Sequence, residues 1–177
     1  ASRCSLGRII IIDDDDDILF SLSALLQTEG YCTETYQSAT DYLDALNRDE
    51  MVFDGPICIL CDVNMPVVNG LEFQRRMAEL RDTPIIFMSG GSGINAAVQG
   101  FRAGAVDFLI KPFEPDALLF VVSNSLQLSS ARQKANARKS LVLTIMETLT
   151  PREMEIAREI CKGKTNGALA DEFGINI

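Results

Sequence analysis

Residues 56–66 read Pro56-Ile57-Cys58-Ile59-Leu60-Cys61-Asp62-Val63-Asn64-Met65-Pro66. An unbroken apolar run follows one proline, ends on a carboxylate and is closed by a second proline. A short apolar run without alternation is what a strand buried on both faces requires. Cys58 and Cys61 lie inside that run. Side chains three apart on a strand point to opposite faces, so this C-x-x-C is read as core, since a redox pair opens a helix. Asp62 stands where the strand ends.

Working outward, four more short runs have the same character: Arg8–Ile12, Tyr31–Tyr36, Pro84–Met88 and Val106–Ile110. Helical spacing fills the gaps. Ile18, Leu22, Leu25 and Leu26 share a face that ends near Gly30, and Ala39, Tyr42, Leu43 and Leu46 share another. Leu71, Phe73, Met77 and Leu80 follow Gly70; Ile94, Ala97, Val98 and Phe101 follow the glycines at 90–93; Ala117, Leu118, Val121 and Val122 follow Pro115. Strands alternating with helices predict βαβ units, hence an α/β fold with a doubly wound, five-stranded parallel sheet over residues 7–125.

Composition narrows the chemistry. The 177 residues carry a net charge of −9, unevenly spread. Residues 1–125 hold 8 Lys/Arg against 19 Asp/Glu, whereas residues 126–177 hold 8 against 6. That change of sign predicts two modules with different partners, the first repelling nucleic acid and the second tolerating it. With no histidine in the chain, imidazole metal ligation and His-based acid–base catalysis are excluded. Five scattered cysteines argue against a disulfide framework. No apolar stretch reaches membrane-span length and no signal peptide is read, so the expectation is a cytoplasmic protein without a membrane partner.

In an open parallel sheet, ligands sit beyond the carboxyl ends of the strands. Those ends are predicted to carry the run Asp13–Asp17, then Asp62, Ser89 and Lys111-Pro112. Each has a plain structural reading alone: solvated charge, a cap, a loop, a turn. Together they place several carboxylates, a hydroxyl and an ammonium on one rim. Crowded carboxylates need a cation, and oxygen ligands suit Mg²⁺, which keeps waters and bridges to phosphate. A carboxylate beside it can act as a nucleophile towards phosphorus, while an ammonium and a hydroxyl neutralise the transferred group.

These motifs resemble the receiver domain of two-component response regulators: the acidic pair after the first strand, Asp62-Val63-Asn64-Met65-Pro66 with Gly70, Ser89-Gly90 and Lys111-Pro112-Phe113. The resemblance implies a CheY/flavodoxin-like fold in which Asp62 is the phosphoacceptor. It implies Mg²⁺ held by Asp13, Asp14, Asp62 and the Asn64 carbonyl, with Asp14 as the direct ligand and Asp13 acting through water. Lys111 pairs with the phosphoryl oxygens, Ser89 moves towards them, Phe108 is the aromatic switch, and the Lys111–Pro112 bond is cis. Asp15–Asp17 would open the first helix, where negative charge suits the dipole.

After Leu128 the segment Ser129–Ser140 has no apolar side chain larger than alanine and is rich in helix formers, so 126–147 is read as a helical linker. Thr150-Pro151-Arg152-Glu153 is a capped helix start, and a shorter helix runs from about Thr165 to Phe173. With Gly163-Lys164-Thr165-Asn166 and Leu169-Ala170, residues 148–177 resemble the start of a LuxR-type helix-turn-helix, and the whole chain a FixJ/NarL-type response regulator. In that family the recognition helix comes next, so the DNA-reading residues are not assigned and this stretch alone is not expected to bind a promoter. The resemblance implies a sensor histidine kinase as phosphoryl donor and DNA as target of the full-length protein. It also implies a phosphorylation-dependent homodimer through the face of the fourth helix and fifth strand, about Ile94–Ile110. The expected function is a phosphorylation switch, not a turnover enzyme. Two alternatives stand beside it. One is a receiver that signals only by protein contacts. The other is an aspartyl-phosphate phosphohydrolase, which would need an acid where Asn64 stands.

Overall fold

The structure is a computed structural model in which residues 6–48, 55–90 and 104–174 are described. The chain divides into two compact units, residues 1–133 and 134–177. In the first, strands β1 (Arg8–Ile12), β2 (Cys32–Tyr36), β3 (Ile57–Asp62), β4 (Ile85–Gly90) and β5 (Asp107–Lys111) form one sheet. All pairings are parallel and the order is β2-β1-β3-β4-β5. The helices are α1 (Asp16–Thr28), α2 (Ala39–Asn47), α3 (Gly70–Leu80), α4 (Pro115–Thr148), α5 (Pro151–Cys161) and α6 (Asn166–Phe173). The helical pattern of Ile94, Ala97, Val98 and Phe101 lies outside the described residues.

The period of the strands sorts the core into two layers. Ile10, Ile12, Ile59, Cys61 and Phe87 point to one face and pack with Tyr42 of α2 and Phe73 and Met77 of α3. Ile9, Ile11, Cys58, Leu60, Ile86 and Met88 point to the other, against Leu22 and Leu26 of α1 and Leu118 and Val122 of α4. Cys58 and Cys61 therefore belong to different layers, and burial pushes both thiols up, away from the reactive thiolate. They are free, as is the exposed Cys161, whereas Cys32 is disulfide-bonded, although the scattered cysteines had argued against a disulfide framework.

Three differences from the sequence reading have clear causes. None of the five residues of β2 is buried, because β2 is an edge strand, so Glu34 can face solvent and pair with Arg8. On α1 the buried stripe is Leu19, Leu22 and Leu26, with Ile18 and Leu25 at its margins, because Asp15 caps the helix and sets its rotation. Leu80 is exposed because it is the last residue of α3, beyond the final buried position at Met77. The strands β4 and β5 also extend to Gly90 and Lys111, further than the apolar runs alone indicated.

The helix read after Pro115 and the linker are one uninterrupted helix, α4, of 34 residues. No glycine or proline interrupts it, and its burial fades after Ser129 as large apolar residues give way to alanine and polar ones. In the second unit, Thr150 and Glu153 form a reciprocal capping box at α5. Arg152 Nη2 donates to the Phe173 carbonyl at 2.6 Å, and Gly174 ends α6 in the left-handed conformation at φ 62°. Among the described residues no helix is long and apolar enough to cross a membrane.

Candidate functional site

Because all five strands are parallel, their carboxyl ends lie on one rim. β1 delivers Asp13 immediately after Ile12, β3 ends on Asp62, β4 carries Ser89 and β5 ends on Lys111. The ladder holds these ends in register: Val63 N–H donates to the Met88 carbonyl at 2.9 Å and Asp13 N–H to the Tyr36 carbonyl at 3.2 Å. Gly70 lets the loop after Asp62 fold tightly over the strand. A Cβ there would stand 2.8 Å from the Phe87 ring and 3.1 Å from the Asp62 carbonyl.

The centre of the site is a bridge. Lys111 Nζ donates to Asp13 Oδ2 at 2.6 Å and to Asp62 Oδ1 at 2.8 Å. Each carboxylate spends its other oxygen on the backbone: Asp13 Oδ1 accepts from Asp15 N–H at 3.0 Å, and Asp62 Oδ2 from Asn64 N–H at 2.6 Å. Both are buried, at 1% and 6% exposure. Burial raises the Asp13 carboxyl above the ordinary carboxylate range and the charge of Asp62 adds to this, while the Lys111 bond and the Asp15 N–H pull the other way. Burial alone would lower the Lys111 ammonium, but its bonds to Asp13 and Asp62 outweigh that and raise it.

Ser89 is buried at 1% exposure; its hydroxyl donates to the Gly90 carbonyl at 3.2 Å and accepts from Asn64 Nδ2 at 3.4 Å. Asp14 is exposed on the same rim. Phe108 pairs in register with Phe87 and lies half-buried against the layer under α2 and α3. The Lys111–Pro112 bond is cis. Thus Asp13, Asp62 and Lys111 are in direct contact, Asn64 joins Asp62 to Ser89, and Asp14 and Phe108 stand apart from that cluster. Sequence reasoning did not anticipate the bond from Lys111 to Asp13 or the reach of the Asn64 amide to Ser89. Both link residues far apart in the chain, and no local pattern signals them.

Two buried carboxylates share one ammonium, so a negative charge remains at the rim, and Asp14 adds to it. The donors are carboxylate and carbonyl oxygens, with no thiolate or imidazole at hand. Among the described residues no three acidic or thiol side chains form a ready-made cage. That combination fits a small hard cation that keeps several waters.

Comparison with known proteins agrees with this geometry. Residues 9–123 match the response regulator receiver domain family. The chain is 36% identical over 169 residues to the response regulator protein TodT of Pseudomonas putida, covering 95% of this chain and 72% of that one. It is 33% identical to the transcriptional regulatory protein FixJ of Bradyrhizobium diazoefficiens, covering 96% and 81%. Among solved structures, response regulator StyR superposes with a TM-score of 0.79 at 29% identity, covering 97% of this chain and 85% of that one. Full-length FixJ from B. japonicum gives 0.65 at 32% identity, covering 96% and 82%. The five-stranded parallel sheet and the family match over residues 9–123 place the chain in the response regulator family of two-component systems, in the class of FixJ and TodT.

Proposed function

We propose that Asp62 accepts a phosphoryl group from a phosphohistidine on a partner kinase and that this modification switches a DNA-directed transcriptional output. The observation that carries the reading is the Lys111 ammonium held between two buried carboxylates, Asp13 and Asp62, at the carboxyl rim of the sheet. In the transfer, an Asp62 carboxylate oxygen forms a bond to phosphorus, the N–P bond of the donor breaks, and its electron pair stays with the imidazole. The product is an acyl phosphate. Lys111, which donates to Asp62 at 2.8 Å, would neutralise a phosphoryl oxygen, and the Ser89 hydroxyl would exchange the Gly90 carbonyl for another. Phe108 would follow Ser89 as the packing around β4 and β5 adjusts. Asp13, Asp14, Asp62 and the Asn64 carbonyl would hold Mg²⁺, which supplies charge neutralisation for the incoming group.

The Asn64 amide is neither acid enough to protonate a leaving group nor base enough to activate a water, so the acyl phosphate should persist as a signal. On this reading residues 7–125 are the switch, 126–147 link it, and 148–177 begin the DNA-directed part. Phosphorylation is proposed to favour a homodimer through residues 94–110; sedimentation with and without beryllofluoride reads that step. The central test is intact mass after incubation with acetyl phosphate and Mg²⁺. A gain of about 80 Da, the mass of one phosphoryl group, is expected in the wild type. It should be absent with a chelator present or in Asp62→Asn. A wild type that never gains the adduct overturns the reading.

A further inference from the structure

From Ala117 to Met146 the long helix α4 contains no Asp or Glu, yet it carries Arg132, Lys134, Arg138 and Lys139. Arg132 is paired with Asp82 at 2.6 Å. Lys134, Arg138 and Lys139 are exposed, and among the described residues none of them has a partner. Arg158 on α5 is also exposed without a partner among the described residues, but several other cations are compensated. Arg75 and Arg76 pair with Glu72, and Lys162 and Lys164 pair with Glu159, the latter also with Glu172. A strongly acidic chain thus keeps three uncompensated cations within six residues of one helix. Ala131, Ala135 and Ala137 between them leave no bulky side chain to hold an opposing surface away. Lys134 and Arg138 are one turn apart, so their cations sit about 6 Å apart along the axis, a spacing that lets flexible side chains meet neighbouring phosphates of a duplex.

We propose that Lys134, Arg138 and Lys139 on α4 bind the phosphate backbone of duplex DNA as a sequence-independent contact. The inference rests on the DNA-directed output proposed above and adds where the electrostatic part of that binding resides. Contacts to the phosphate backbone give affinity and register, not specificity. Such a contact would hold the chain near DNA while sequence is read elsewhere.

The test is fluorescence anisotropy of the intact chain on a labelled duplex of scrambled sequence, across a salt series. Each phosphate contact contributes about 0.9 to the slope of log affinity against log salt. The triple variant Lys134→Gln, Arg138→Gln, Lys139→Gln should therefore lose a slope of about 3 and bind more weakly at every salt concentration. A second variant, Arg75→Gln with Arg76→Gln, removes cations of the receiver unit that already pair with Glu72 and should change the slope by less than about 1. Three results would overturn the proposal: no wild-type binding at the lowest salt, an unchanged slope in the triple variant, or an equal loss per charge in both variants. The last would mean that net charge alone matters. An acidic protein as the true partner would appear as the second result. Mass gain at Asp62, measured on the same variants, reads the phosphoacceptor proposal separately, so either can fail without the other.

Discussion

Asp13 and Asp62 each give one oxygen to Lys111 and the other to a backbone N–H, and both are nearly sealed from water. Lys111→Met would leave two buried carboxylates facing each other without the ammonium. Removing one partner of a fully buried ion pair costs about 3–5 kcal/mol. The loss here should be smaller, because the Lys111 side chain keeps 20% exposure. Urea unfolding of the variant in the absence of divalent cation measures it, and an unchanged midpoint would mean the bridge contributes nothing to the resting fold. Every residue of this bridge was legible in the sequence as the end of a strand. Which oxygen meets which donor was not, because Asp13, Asp62 and Lys111 are 49 and 98 positions apart in pairs that only the sheet order brings together.

At the scale of elements, α4 shows how one helix changes task along its length. Leu118, Val122 and Leu126 bury it against the sheet. One turn later the apolar contacts stop and polar ones begin. The buried Ser129 hydroxyl accepts from Ile57 N–H at 3.0 Å, and Gln133 Nε2 donates to the Gly55 carbonyl at 2.9 Å. These bonds fasten the helix to the entry of β3, the strand that ends on Asp62. Ser129→Ala would leave the Ile57 N–H buried without an acceptor, a cost of about 1–3 kcal/mol. Thermal unfolding of the variant checks this, and a melting temperature equal to the wild type would show that water replaces the hydroxyl. The helix itself was readable from its composition. Its continuity through the expected boundary follows from the lack of any glycine or proline to end it.

For the whole molecule, the contrast between the two units is one of burial. The receiver unit has two apolar layers, whereas among the described residues of 134–177 Leu169 is the buried apolar side chain. So small a core gives little stability of its own. Limited trypsin digestion should therefore cut first at Lys134, Arg138 or Lys139, and the remaining core should still gain a phosphoryl group at Asp62. A core that cannot be phosphorylated would show that the second unit is needed for the site.

The sequence by itself determined the fold class, because the five apolar runs and the helical spacing between them admit a parallel sheet covered on both faces. It also determined which side chains reach the rim, because a strand end is a local property of the chain. The tertiary structure alone decided the partners: Lys111 shared between Asp13 and Asp62, Asn64 reaching Ser89, β2 exposed at an edge, and α4 fastened through Ser129. Those depend on strand order and register, which set distances between residues that local patterns leave unrelated.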